Sequence, residues 1–226
     1  MIKIERLSKF YGKKQVLNSI DLEFKKGKIY GIVGENGAGK TTLFRCISGL
    51  ESYKGNILSD FTELKDHLGL LLTEPYFFSK ITGKEYIQLL ANARQTEITK
   101  IENKNIFGLP LNQYASTYST GMKKKLALTA ILLQENNVFI LDEPFNGVDI
   151  QSNLIITEII KRFKKLEKTV IISSHIFSTL ENTCDEIYLM KNGEIINKVE
   201  KADFKNLEKK MKEFTVGNKI DKLELK

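Results

Sequence analysis

Cysteine is almost missing from this chain: Cys46 and Cys184 are the only two in 226 residues. Two cysteines this far apart argue against a disulfide framework and against a zinc knuckle, and make a reducing compartment the default. Long apolar runs are missing as well. The longest stretch of apolar residues and glycine, Ile29 to Gly34, has six residues, whereas a membrane-crossing helix needs about twenty. Any membrane role must therefore be carried by a separate polypeptide. The opening Met1-Ile2-Lys3-Ile4-Glu5-Arg6 lacks the apolar segment of a secretory signal. Arginine is scarce: only 4 of the 35 basic residues are Arg. Arginine is the side chain best suited to bidentate phosphate and base recognition, so the net charge of +7 reads as a lysine-rich surface and no nucleic acid partner is expected. The densest lysine clusters, 123–125 and 161–168, read as solvated helix faces. There is no internal repeat and no low-complexity linker.

What is present is the composition of a folded domain able to bury a sizeable core, 42% hydrophobic and 28% charged. Met1–Ser8 and Ile20–Phe24 alternate as strands do, with a turn at Lys25-Lys26-Gly27. Lys28–Val33, Leu68–Leu72, Val138–Leu141 and Thr169–Ser173 are short apolar runs expected to be buried strands. Helical spacing is seen over Thr41–Leu50, Gly83–Arg94 and Lys123–Gln134, and in the stripe Leu154, Ile155, Ile159, Phe163 and Leu166. Asn192-Gly193, between Ile187–Met190 and Ile195–Val199, predicts a hairpin, because both residues tolerate positive φ. Phe204, Leu207, Met211 and Phe214 predict a C-terminal helix packed on the core. Valine is absent from 74–134, where polar residues rise. We read 75–135 as an inserted helical subdomain, and 1–74 with 136–226 as an α/β core with a mainly parallel sheet and an N-terminal antiparallel β part.

Gly34-Glu35-Asn36-Gly37-Ala38-Gly39-Lys40-Thr41 matches the phosphate-loop pattern G-x-x-x-x-G-K-[ST]. Glycines let successive backbone N–H groups converge as an anion nest, and the helix that follows adds its positive end. Lys40 reaches the β- and γ-phosphates of a nucleotide, and the Thr41 hydroxyl ligates Mg²⁺. A second element, Val138-Phe139-Ile140-Leu141-Asp142-Glu143, is an apolar strand tipped by two carboxylates. Asp142 is placed to hold Mg²⁺ opposite Thr41. Glu143 is placed to polarise an attacking water.

At this point the chain resembles an ATP-binding cassette ATPase, the nucleotide-binding subunit of ABC transporters. Tyr118-Ser119-Thr120-Gly121-Met122 resembles the family's signature motif, and Gly121 stands 21 residues before Asp142 (142 − 121). Ile172-Ser173-Ser174-His175 resembles the switch-histidine loop, Asn146-Gly147-Val148-Asp149 the D-loop, and Tyr11 the aromatic position that stacks on adenine. The resemblance implies an ATPase with ATP and Mg²⁺ as cofactors, and catalytic Glu143, His175 and Lys40. The implied nucleotide contacts are Tyr11, Gly34, Asn36, Gly37, Ala38, Gly39, Lys40, Thr41 and Thr42, with Ser119, Gly121 and Asp149. It implies that the signature motif faces ATP on a second ATPase subunit, and that an integral membrane subunit is driven from the cytoplasmic side. Thr120 and Met122 replace the usual Gly and Gln of the signature. Thr73 stands where the family carries the Q-loop Gln, too short to reach a metal-bound water as Gln does. Only 27 residues separate Leu90 from Tyr118, which is short by one helix. The Tyr-Ser-x-Gly-Met-Lys form of the signature is most similar to bacterial drug and antimicrobial-peptide exporters.

Overall fold

The computed structural model describes residues 1–175 and 177–207. Its frame is a six-stranded sheet built from β3 (Ile29–Val33), β5 (Leu68–Leu71), β6 (Val138–Asp142), β7 (Thr169–Ser174), β8 (Glu186–Lys191) and β9 (Glu194–Glu200). Their spatial order is β5-β6-β7-β3-β8-β9, parallel throughout except for β9. Every residue of β3, β6 and β7 is buried. Central parallel strands are covered on both faces, which is why they read as unbroken apolar runs and not as alternation. Gly31 is required inside β3: a Cβ there would stand 3.0 Å from both Ile187 and Leu180 and 3.1 Å from the Cys184 sulfur.

A separate antiparallel sheet, ordered β2-β1-β4, joins β1 (Ile2–Tyr11), β2 (Lys14–Phe24) and β4 (Lys54–Ser59). It covers one face of the main sheet together with α1 (Lys40–Ile47), so Ile4, Leu22 and Phe24 share a core with Tyr30, Ile140, Ile171 and Phe44. The tight turn at Gly12, with φ +59°, closes β1 onto β2. Alternation over the first residues shows two strands, but not that they form one long hairpin or that β4 completes the sheet. The opposite face of the main sheet is covered by α3 (Thr120–Leu132), α4 (Ile150–Lys165) and α5 (Phe177–Glu181). The α2 helix (Gly83–Asn92) starts in a capping box: Thr82 accepts from Glu85 N and the Glu85 carboxylate accepts from Thr82 N. Between α2 and α3 the chain makes only 3₁₀ turns. Even so it buries Ile101, Leu109, Leu111 and Ala115 against Ile87 and Leu126, forming a third core.

Three expectations need correction. The stripe on α4 is rotated: Ile156, Ile160 and Phe163 are buried, whereas Leu154 and Leu166 are exposed. Periodicity alone cannot choose between two apolar faces of an Ile-rich helix, and packing against Phe139, which stacks on Phe163 at 4.0 Å, makes that choice. Helix α3 begins at Thr120, capped by Ser119, three residues before the expected start. The lysines at 123–125 do not form a solvated face, because Lys124 is only 2% exposed. The reason is that α3 lies between two cores and is buried nearly all round.

The Asn192-Gly193 hairpin forms as expected, with φ of +49° and +81°. Both cysteines are free and buried, and burial pushes the thiols up, Cys46 to about 11 and Cys184 to about 12. Phe204 and Leu207 pack on the core; Met211 and Phe214 lie outside the described residues. Among the described residues no helix is long and apolar enough to cross a membrane.

Candidate functional site

The site follows from the strand order. Because β6, β7 and β3 are adjacent and parallel, their C-terminal ends emerge side by side, with Asp142 opposite Ser173 and Val33 opposite Ser174. The loop after Val33, the carboxylates after Leu141 and the histidine after Ser174 therefore meet at one edge, where parallel sheets bind ligands. They line a cleft of about 610 Å³ that holds Tyr11, the loop from Asn36 to Thr42, Thr73, Asp142, Glu143 and His175.

The loop is built to approach a ligand with backbone. Gly37 and Gly39 have φ of +84° and +108°, and Gly39 leads directly into α1. A Cβ on Gly34 would lie 2.4 Å from the Met190 carbonyl, so the loop can sit this low on β8 only without a side chain. Lys40 is buried. Its Nζ donates to the Gly34 carbonyl at 2.7 Å and lies 3.6 Å from Glu143 Oε1.

Asp142 is fully buried and gathers hydroxyls. Thr41 Oγ1 donates to its Oδ2 at 2.6 Å, Thr73 Oγ1 to the same oxygen at 2.8 Å, and Ser173 Oγ to Oδ1 at 2.5 Å. Thr73 thus contacts the carboxylate directly, an arrangement not readable from its short side chain alone. Ser173 also accepts from Glu143 N at 2.9 Å. The Glu143 carboxylate is held by His175, whose Nδ1 is 2.9 Å from Oε2, while buried Oε1 has no hydrogen-bond partner. Glu143 itself has φ +50°, a left-handed backbone that persists in a side-chain-bearing residue only when its surroundings impose it.

Tyr11 stands at the end of β1 on the cleft wall, 42% exposed, with Lys9 Nζ 4.8 Å from its ring centre. His67, the other histidine of the chain, stacks on Phe61 at 4.3 Å and is packed at the entry to β5, away from the cleft.

Ser119, Gly121 and Asp149 are not in the cleft. Ser119 caps α3 by accepting from Met122 N at its hydroxyl and from Lys123 N at its carbonyl. Asp149 caps α4 through Ser152, which donates from its backbone N–H and from its hydroxyl, and receives Lys125 Nζ at 3.0 Å. These bonds hold its carboxyl well below the usual range. Gly121 abuts the next loop: a Cβ there would meet the Gly147 carbonyl at 2.6 Å. Gly121→Ala is expected to force the two apart and cost about 1–3 kcal/mol of stability, readable as a shift in the urea midpoint. The residues that sequence reasoning does not assign are Ser173, Asn146 and Lys124. Ser173 and Asn146 lie within the segments that resemble the switch-histidine loop and the D-loop, whereas nothing in the sequence marks Lys124.

A glycine-rich anion loop after a central parallel strand, with a buried carboxylate on the strand two places away, defines the chain as a P-loop nucleotide-hydrolysing enzyme. A family profile described as ABC transporter matches residues 17–146. The chain is 34% identical over 238 residues to the bacitracin transport ATP-binding protein BcrA of Enterococcus faecalis, covering 96% of this chain and 75% of that one. It is 33% identical over 220 residues to the lantibiotic transport ATP-binding protein SrtF of Streptococcus pyogenes, covering 92% and 94%. Its fold matches the dimeric cassette MJ0796, solved with ADP and Pi, at a TM-score of 0.80 and 19% identity, covering 88% and 98%. The chain belongs to the ABC transporter family, as an ATP-binding ATPase subunit.

Proposed function

We propose that this cassette hydrolyses ATP at the cleft beside the phosphate loop, as one of a head-to-tail pair, and drives a separate membrane subunit that exports peptide-like antimicrobials. The observation that carries the catalytic reading is the convergence of Lys40, Asp142 and the His175-held Glu143 on the phosphate loop. The relatives' names supply the substrate class: one is a bacitracin and one a lantibiotic transport protein.

ATP enters with adenine against Tyr11 and its phosphates over the N–H groups of Asn36 to Thr42. Lys40 exchanges the Gly34 carbonyl for the β- and γ-phosphates, and the incoming phosphate separates it from Glu143. Glu143 Oε1, buried and without a hydrogen-bond partner, accepts a proton of the attacking water. His175 fixes the other carboxylate oxygen and meets the γ-phosphate, so the base cannot rotate away from the water. Ser119 and Gly121, displayed outside the cleft, complete the ATP site of the second cassette, and Asp149 holds the start of α4 beside that interface. One chain carries two half-sites, which supports a dimer as the hydrolysing unit.

The donor set fits Mg²⁺. A buried carboxylate and two threonine hydroxyls meet at one oxygen, the hard ligands that this cation takes while keeping several waters. Thr41 and Asp142 would hold it, with Thr73 beside them, and bound there it neutralises phosphate charge. Thr73→Val keeps the shape and removes the hydroxyl. The Mg²⁺ concentration for half-maximal phosphate release is expected to rise about tenfold, with the ATP dissociation constant unchanged.

The residues from about 75 to 135, with their own core, serve as the part that carries the signature motif, and the remainder as the catalytic core. Placement on the cytoplasmic face of a membrane follows from the partner. The decisive experiment is phosphate release by the purified chain alone and with a co-purified membrane subunit, paired with bacitracin and lantibiotic susceptibility of cells lacking it. Absence of ATP turnover in both preparations overturns the enzymatic reading. Unchanged susceptibility overturns the substrate class.

A further inference from the structure

Lys124 is the most deeply buried lysine among the described residues. Its Nζ donates to the carbonyl of Glu143 at 2.8 Å and to that of Asn146 at 2.7 Å. Burial lowers its pKa, against the pull of Glu143 and Asp142. A buried lysine head is costly unless its hydrogen bonds are well made. The two carbonyls it holds bracket the turn that leaves β6. That turn closes on itself through Asn146 N and Glu143 O at 3.2 Å, and it begins with the left-handed Glu143. The same loop continues to Gly147, pressed against Gly121 at the first turn of α3. Helix α3 therefore grips this loop twice: Gly121 on Gly147, and one turn later Lys124 on Glu143 and Asn146.

We propose that Lys124 is a positioning residue for hydrolysis: it holds the left-handed Glu143 backbone in place and makes the alignment of Glu143 depend on the position of the signature helix. The inference rests on Glu143 being the group that polarises water. Lys124 touches no reacting atom and acts through two backbone carbonyls. A displacement of α3 by nucleotide held against its N-terminus is passed by Lys124 to Glu143 of the same chain, which links the two ATP sites of a pair.

The test uses the full chain, steady-state phosphate release and titration with a fluorescent ATP analogue. Lys124→Met keeps the unbranched stem and removes the ammonium that makes both hydrogen bonds; kcat is expected to fall about 30-fold, with nucleotide Kd within about threefold of the parent. Lys124→Gln restores N–H donors without the charge and is expected to lose only about fivefold in kcat. In a Glu143→Gln background, Lys124→Met adds no further loss, because both changes act on one group. An unchanged kcat in Lys124→Met overturns the proposal, and so does a parallel loss of kcat and nucleotide binding. Should Lys124→Met not fold, Lys124→Gln decides alone: lowered kcat at unchanged Kd supports the role, and wild-type kcat overturns it. If Glu143→Gln alone leaves turnover intact, the reading of Glu143 fails and this inference with it. If Glu143→Gln abolishes turnover and Lys124→Met does not lower it, only the role of Lys124 fails.

Discussion

Glu143→Gln is expected to lower ATP turnover by about 10³-fold while ATP still binds. The amide is isosteric and can keep a hydrogen bond with His175, which now lies 2.9 Å from Oε2. What disappears is the carboxylate oxygen Oε1, which is buried, has no hydrogen-bond partner and lies against Lys40. An amide cannot accept a proton from water at neutral pH, so the chemical step stalls. Binding moves the other way. Glu143 Oε1 lies 3.6 Å from Lys40 Nζ in the nucleotide-free chain, and a neutral side chain there neither competes for Lys40 nor repels the γ-phosphate. ATP-bound dimer should therefore accumulate. Phosphate release and size-exclusion chromatography in ATP read the two effects separately. Turnover within tenfold of the parent would remove Glu143 from its role.

Asp142→Ala should be the most damaging change to both activity and fold. Its carboxylate accepts from Thr41, Thr73 and Ser173 in a fully buried setting. Removing it leaves three hydroxyls without their shared acceptor and opens a void at the tip of β6. A cost of about 2–4 kcal/mol is expected from the lost charge-assisted bonds. Mg²⁺-dependent turnover should fall by at least about 10³-fold, because the hard donor set is gone. Ser173 also ties Glu143 N to this network at 2.9 Å, so the loss extends to the catalytic carboxylate. Urea unfolding and phosphate release across a Mg²⁺ titration check the two parts. Wild-type stability would mean that the hydroxyls find water as readily as they found Asp142.

The local chemistry is legible in the residues themselves. Gly34–Thr41 carries its own instructions: glycines at positive φ and a lysine next to a helix start describe an anion nest in any fold that places a strand before it. The buried strands β3, β6 and β7 stand out as short apolar runs, since strands covered on both faces have no polar side to show. The Asn192-Gly193 hairpin is equally local. Other features depend on neighbours far away in sequence. Periodicity does not show which face of α4 is buried, because isoleucine occurs on more than one side and only contact with Phe139 distinguishes them. Lys124 lies in a run of three lysines, and nothing in that run marks the middle one as interior. Its burial follows from α3 being held between two cores.

Thr73 shows the same division most clearly. By sequence it occupies the place of a longer side chain and reads as a loss. Its hydroxyl meets Asp142 because β5 and β6 are adjacent and parallel, which brings Thr73, two residues past the end of β5, beside the end of β6. The scarcity of cysteine and arginine, the phosphate loop, the paired carboxylates and the order of motifs need no fold to be read, because each depends on residue type within a short span. Which groups face one another is a property of the folded chain: the three hydroxyls on Asp142, the His175 contact to Glu143, the separation of Ser119 and Gly121 from the cleft, and the burial of Lys124. Those distances are set by strand order and helix packing, which join residues as far apart as 41 and 142.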